Sequence, residues 1–182
     1  MKYTILFFTI LLSACEYSYT VDMDQNAING KVTYKVLTDL GIELKSPTAP
    51  VANYTNVVQA GKLLFLAGKG SRTDSGQIIS GKVGRDLTVK QGYEAAKRVA
   101  ISQIEVLHSH LGDLGKVKRI VKVTGMVNAT DDFTQHPEVI NGFSDFMVEV
   151  FGDRGKHARA AVGMASLPRN LAVEIDMIVE IF

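Results

Sequence analysis

The chain has 182 residues, of which 46% are apolar and 21% charged, and its formal net charge is +1. That length suits one domain with a sizeable core, the apolar share is too high for a disordered chain, and the near-neutral balance shows neither the basic excess of a nucleic-acid binder nor an acidic tail. The single cysteine excludes an internal disulfide framework and a cysteine-cluster metal site.

Met1 and Lys2 make a short basic start, and residues 3–12 are nearly all apolar. As a helix, ten residues span about 15 Å, roughly half a bilayer core, so the run fits a secretory signal better than a membrane span. Leu12-Ser13-Ala14-Cys15 resembles the lipobox of bacterial lipoproteins. That resemblance implies a signal peptide over residues 1–14, export, and acylation of Cys15 as the mature N-terminus. The protein would then be lipid-anchored on the periplasmic side of a bacterial membrane, and Glu16 favours the outer one. The plainer alternative is a secreted protein with Cys15 near its cleavage site. Residues 15–48 are expected to be a tether, with a short strand or helix near Val32–Leu40 and punctuation at Ser46, Pro47 and Pro50.

The domain is expected over residues 49–182. Asn56–Ala60 and Lys62–Ala67 flank Gly61 as a hairpin, and the stretch with Gly68, Gly70, Gly76, Gly81 and Gly84 reads as loop. Thr88-Val89-Lys90-Gln91 is a capping box. Val89, Tyr93, Ala96, Ala100, Ile104, Leu107 and Leu111 follow at helical spacing, and Gly112 ends the helix. Val117–Asn128 reads as a strand. Pro137 opens a second helix with Val139, Phe143, Phe146 and Val150 on its buried face, and Gly152 closes it. Ala158–Ala165 is a further strand. From Val173 the chain alternates, with Val173, Ile175, Met177, Val179 and Ile181 on one face and Glu174, Asp176, Ile178 and Glu180 on the other. The order β-β-α-β-α-β-β gives an α+β fold, a sheet covered by two helices.

Arg159 lies in an apolar strand, where a guanidinium needs a partner. On period two it shares a face with Ala161 and Gly163, whose small size leaves room to grip a carboxylate with two parallel hydrogen bonds. Glu174 on the next strand is open to two readings: a structural ion pair with Arg159, or acid/base work through a water.

His157-Ala158-Arg159-Ala160-Ala161-Val162-Gly163, Leu167-Pro168-Arg169-Asn170 and Val173-Glu174-Ile175-Asp176 resemble the RidA/YjgF family, and the likeness extends upstream through Tyr54, Leu63–Gly68, Gly112-Asp113-Leu114 and Asn141. The resemblance implies a chorismate-mutase-like fold, a homotrimer with sites between subunits, and hydrolysis of small carboxylate-bearing enamines and imines to 2-keto acids and ammonia. By the same resemblance Arg159 binds the substrate carboxylate and Glu174 positions or activates water. Tyr54 and Asn141 line the pocket, with Gly68, Lys69 and Ala161 beside the substrate. Neither a metal nor an organic cofactor is implied. Two departures stand out: Lys69 occupies a position where an amide is usual, where it either enters the pocket to read a second acidic group or block small substrates or is a solvated loop lysine, and Asp176 replaces a glutamate. Export would separate the protein from the family's familiar cytoplasmic substrates. A non-catalytic small-carboxylate-binding module is therefore the alternative, and an endoribonuclease is disfavoured by the near-zero charge.

Several patterns are set aside. Gly76–Val83 nearly matches a phosphate-binding loop, but Val83 stands where Ser or Thr is required. His108 and His110 are two apart on a helix and cannot form one metal-binding pair. His136 reads as a helix-start residue. His157 is open to a pocket-lining or a structural role. Lys116, Lys118, Arg119 and Lys122 read as a solvated strand edge.

Overall fold

The computed structural model describes residues 26–182; the expected signal and Cys15 with its expected lipidation lie outside them. Helix α1 covers residues 26–39. It is followed by β1 (Val57–Ala60), β2 (Leu63–Gly70), α2 (Val89–Leu111), β3 (Val117–Asn128), α3 (His136–Phe151), β4 (Ala158–Met164) and β5 (Val173–Ile181). From β1 onward this is the order expected from the sequence. The strands form one sheet in the order β1-β2-β5-β3-β4. Only β3 and β4 run parallel, and α3 supplies the crossover that a parallel pair requires.

The two faces of the sheet differ. On β5, Val173, Ile175, Met177 and Val179 are buried. They stand in register with Val127, Gly125 and Val123 on β3 and with Leu66 and Leu64 on β2. This is the face that α2 and α3 cover: a side chain added at Gly125 would run into Ile140 of α3. The opposite face carries Glu174, Asp176 and Ile178 beside Met126 and Phe65. No helix of the described residues covers it, and Phe65 and Val162 there are 42% and 40% exposed.

Helix α2 has the capping box anticipated at Thr88 and Gln91, and Gly112 closes it with φ 73°. Its buried face is broader than the apolar spacing suggests, because Gly92, Ala95, Val99 and Gln103 belong to it as well. Tyr93 sits at the edge of that face, its hydroxyl on Asp145 Oδ2 at 3.1 Å. Close approach explains the glycine of α3, since any Cβ at Gly142 would overlap the Tyr93 carbonyl.

Strand β2 runs three residues past its expected end, through Gly68 and Gly70. These glycines were expected in a loop; they are strand residues under close approach. A Cβ at Gly68 would lie 2.5 Å from Glu174 Oε1, and one at Gly70 would strike Leu171. A bulge between Leu66 and Lys69 lets the strand continue. The fully buried Gln103 of α2 holds the bulge, with its Nε2 donating to the carbonyls of Ala67 (3.0 Å) and Ile175 (2.8 Å). A buried glutamine is here a backbone surrogate for a ladder that the bulge interrupts.

Within the segment read as a tether, α1 packs on the domain through Thr33 and Leu37, both buried. The Tyr34 hydroxyl accepts from Leu114 N–H at 3.1 Å and bonds His108 Nδ1 at 2.9 Å. His108 therefore anchors α1. Arg154 reaches the Val117 carbonyl at 2.6 Å and Thr33 Oγ1 at 3.0 Å. In the basic cluster Lys118 and Arg119 both pair with Glu180.

Candidate functional site

Arg159 stands on β4 opposite Val123 of β3, which turns its side chain to the helix-covered face. There α3 meets it. Arg159 Nη1 donates to Asn141 Oδ1 at 2.8 Å and to Ser144 Oγ at 3.0 Å. Both hydrogens of Nη1 are thereby used. The Nε–Nη2 edge, the pair of parallel donors that fits a carboxylate, has no hydrogen-bond partner among the described residues. Ala161 lies two residues on, opposite Gly125, and extends the same small-residue face. The room expected beside Gly163 is filled instead, because His136 Nε2 occupies the position a Cβ would take. The sequence reading had Asn141 as a pocket residue and missed Ser144. The spacing of three between them on a helix was the available signal.

Glu174 belongs to the other face. On β5 it lies between Gly70 of β2 and Met126 of β3, with its carboxylate over Gly68. Burial raises its pKa, and the neighbouring Asp176 pushes it further up. A raised pKa makes a carboxylate a stronger base, which suits a group that takes a proton from water and then returns it. Arg159 and Glu174 of one chain therefore do not form the ion pair considered from the sequence: the sheet lies between them, and Arg159 is partnered by α3.

The remaining predicted residues divide between the faces. Gly68 lies under Glu174, whereas Asn141 and Ala161 accompany Arg159. Lys69, past the bulge, pairs with the inward-facing Ile175 and is thus turned away from Glu174. Its Nζ donates to Asn56 Oδ1 at 2.7 Å. Burial lowers its pKa, Arg72 adds to the lowering, and Glu105 opposes it. It is a half-buried strand residue, neither a solvated loop lysine nor a neighbour of Glu174. Tyr54, 53% exposed, precedes β1, and no hydrogen bond among the described residues links its hydroxyl to either half-site. Lys82 of the near-match phosphate loop is spent on the carbonyls of Ala129 (2.9 Å) and Ala165 (2.7 Å).

Comparison with known proteins agrees with this architecture. Residues 35–181 match the family model described as "YjgF/chorismate_mutase-like, putative endoribonuclease". Protein TCP17 of Trypanosoma cruzi is 42% identical over 146 residues, covering 80% of this chain and 91% of that protein. A 2-iminobutanoate/2-iminopropanoate deaminase of Dermatophagoides farinae is 27% identical over 141 residues, covering 76% and 94%. The crystal structure of an Agrobacterium tumefaciens protein of unknown function, Atu1372, superposes with a TM-score of 0.76 at 40% identity, covering 85% of this chain and 96% of that one. Because the family model matches residues 35–181, nearly all of the described length, the chain belongs to the YjgF/chorismate mutase-like family.

Proposed function

We propose that the protein is an imine/enamine deaminase that hydrolyses small carboxylate-bearing imines to 2-keto acids and ammonia, in a homotrimer whose sites lie between subunits. The observation that carries this reading is the clamp on Arg159: α3 fixes one corner of the guanidinium and leaves a bidentate edge for a carboxylate. The deaminase from Dermatophagoides farinae, at 27% identity, supports the reaction class. In this reading Arg159 holds the substrate carboxylate, and Glu174 takes a proton from water as its oxygen adds to the imine carbon. The same carboxyl returns that proton to nitrogen, then carries the hydroxyl proton of the tetrahedral intermediate to nitrogen as the carbon–nitrogen bond breaks, and ammonia leaves the 2-keto acid. Imines hydrolyse readily, so orientation and a placed proton suffice.

The same geometry supports a site between subunits. Arg159 and Glu174 occupy opposite faces of one sheet and can reach one substrate only if two chains contribute. The uncovered face, with Phe65 and Val162 exposed, is the surface we assign to subunit contact. We also infer, from the sequence alone, export and lipid attachment at Cys15.

The test is ammonia release from freshly generated 2-iminopropanoate. Wild type should exceed the uncatalysed rate and Arg159→Ala should fall to it. Both proteins matching the uncatalysed rate would overturn the reaction assignment, and 2-keto acid binding without turnover would point to a carboxylate-binding module.

A further inference from the structure

The clamp on Arg159 does not end at α3. His157, on the turn into β4, bonds the Gly155 carbonyl through Nδ1 at 2.7 Å and Ser144 Oγ through Nε2 at 3.0 Å. A carbonyl only accepts, so Nδ1 carries the proton and Nε2 is the acceptor. The Ser144 hydroxyl must then donate to His157 while its oxygen accepts from Arg159. The chain has one consistent polarity, from the guanidinium through Ser144 and His157 to the Gly155 carbonyl. The Phe143 ring, edge-on at 6.3 Å, holds the imidazole in place.

We propose that His157 is a positioning residue for carboxylate recognition: through Ser144 it fixes the Nη1 corner of Arg159, and its protonation loosens that corner. This rests on the reading of Arg159 as the carboxylate anchor. With a proton on Nε2, both Arg159 and His157 would point N–H groups at Ser144 Oγ, and two cations would bracket a hydroxyl whose own proton has lost its acceptor. The Ser144 oxygen has two lone pairs and can accept from both, but the repulsion between the two cations weakens its hold on Nη1, and Asn141 becomes the firmer anchor of that corner.

The surroundings leave this histidine to Arg159. On α3, Asp145 is engaged by Tyr93. On the preceding turn Asp153 pairs with Lys156, and Arg154 is directed to Val117 and Thr33. On β3, Lys122 stands beside Ala158, facing the opposite side of the sheet. Burial holds the imidazole pKa below its usual value, the Gly155 carbonyl works against this, and Arg159 adds to the lowering. The neutral form therefore prevails at neutral pH, and protonation needs a more acidic solution than an ordinary imidazole does.

The experiment measures binding of 2-oxobutanoate, whose carboxylate stays ionised throughout, by calorimetry from about pH 7.5 to about pH 5. Turnover of 2-iminopropanoate is measured in parallel at the upper end. Wild type should bind more weakly in acid, and Glu174→Gln should keep that acid weakening, which separates it from titration of Glu174. His157→Gln, which keeps an acceptor for Ser144 but cannot titrate, should give a flat profile near the neutral wild-type affinity. His157→Ala should weaken binding about five- to tenfold at neutral pH, raising KM with kcat little changed. Ser144→Ala should do the same, and the double variant should be no worse than Ser144→Ala alone. If His157→Ala does not fold, the Gln and Ser144 variants decide. If Arg159→Ala abolishes binding while the His157 and Ser144 variants keep wild-type affinity and pH profile, this inference falls and the deaminase reading stands. If wild type neither binds the keto acid nor hydrolyses the imine, both fall.

Discussion

Glu174 shows at the level of one residue what the proposed chemistry costs the fold. Burial and Asp176 raise its pKa, so the native state binds its proton more tightly than the unfolded chain does. Stability then falls as pH rises from the usual carboxylate range through the raised native value. Glu174→Gln is expected to melt higher than wild type at neutral pH, with the two curves converging as the solution is acidified below that range. The same variant should lose imine hydrolysis. A variant that melts lower than wild type at neutral pH would show that the carboxylate is stabilised by its surroundings. The motif made Arg159 and Glu174 legible in the sequence. Their separation was not, because period two assigns a residue to a face of its own strand but does not say which face of the next strand it joins.

At the level of elements, α2, α3 and the five strands were readable because each carries a strong local signal. Thr88 and Gln91 begin α2, Gly112 ends it, and the alternation on β5 is strict. The bulge in β2 had no such signal, since glycine marks a loop and a close approach alike, and only the packed structure tells them apart. Gln103 connects that bulge to the site, because it satisfies the two carbonyls that hold Gly68 beneath Glu174. Replacing it by leucine should cost about 2 kcal/mol in denaturant unfolding and also lower turnover, because buried carbonyls lose their donor. Thr88→Ala, at the far end of the same helix, should cost about 1 kcal/mol and leave turnover unchanged. Equal effects of the two variants on turnover would contradict the role given to the bulge. Helix α1 lay in the expected tether, and the residues that dock it, Arg154 and His108, sit too far along the chain for any local pattern to reveal.

For the whole molecule, the decisive feature is a sheet with helices on one face and exposed apolar side chains on the other. A charge on that second face should break the proposed trimer, so Val162→Glu is expected to sediment as a monomer and to lose turnover with it. A trimeric Val162→Glu protein would move the interface elsewhere. The central claim is that one active site takes Arg159 from one chain and Glu174 from its neighbour, and it is tested most directly by mixing two inactive proteins. Arg159→Ala and Glu174→Gln chains, unfolded and refolded together in equal amounts, should regain about a quarter of wild-type activity, because random assembly reunites an intact arginine and an intact glutamate at about one site in four. Mixed trimers that form, as native mass spectrometry can establish, and yet remain inactive would contradict the account.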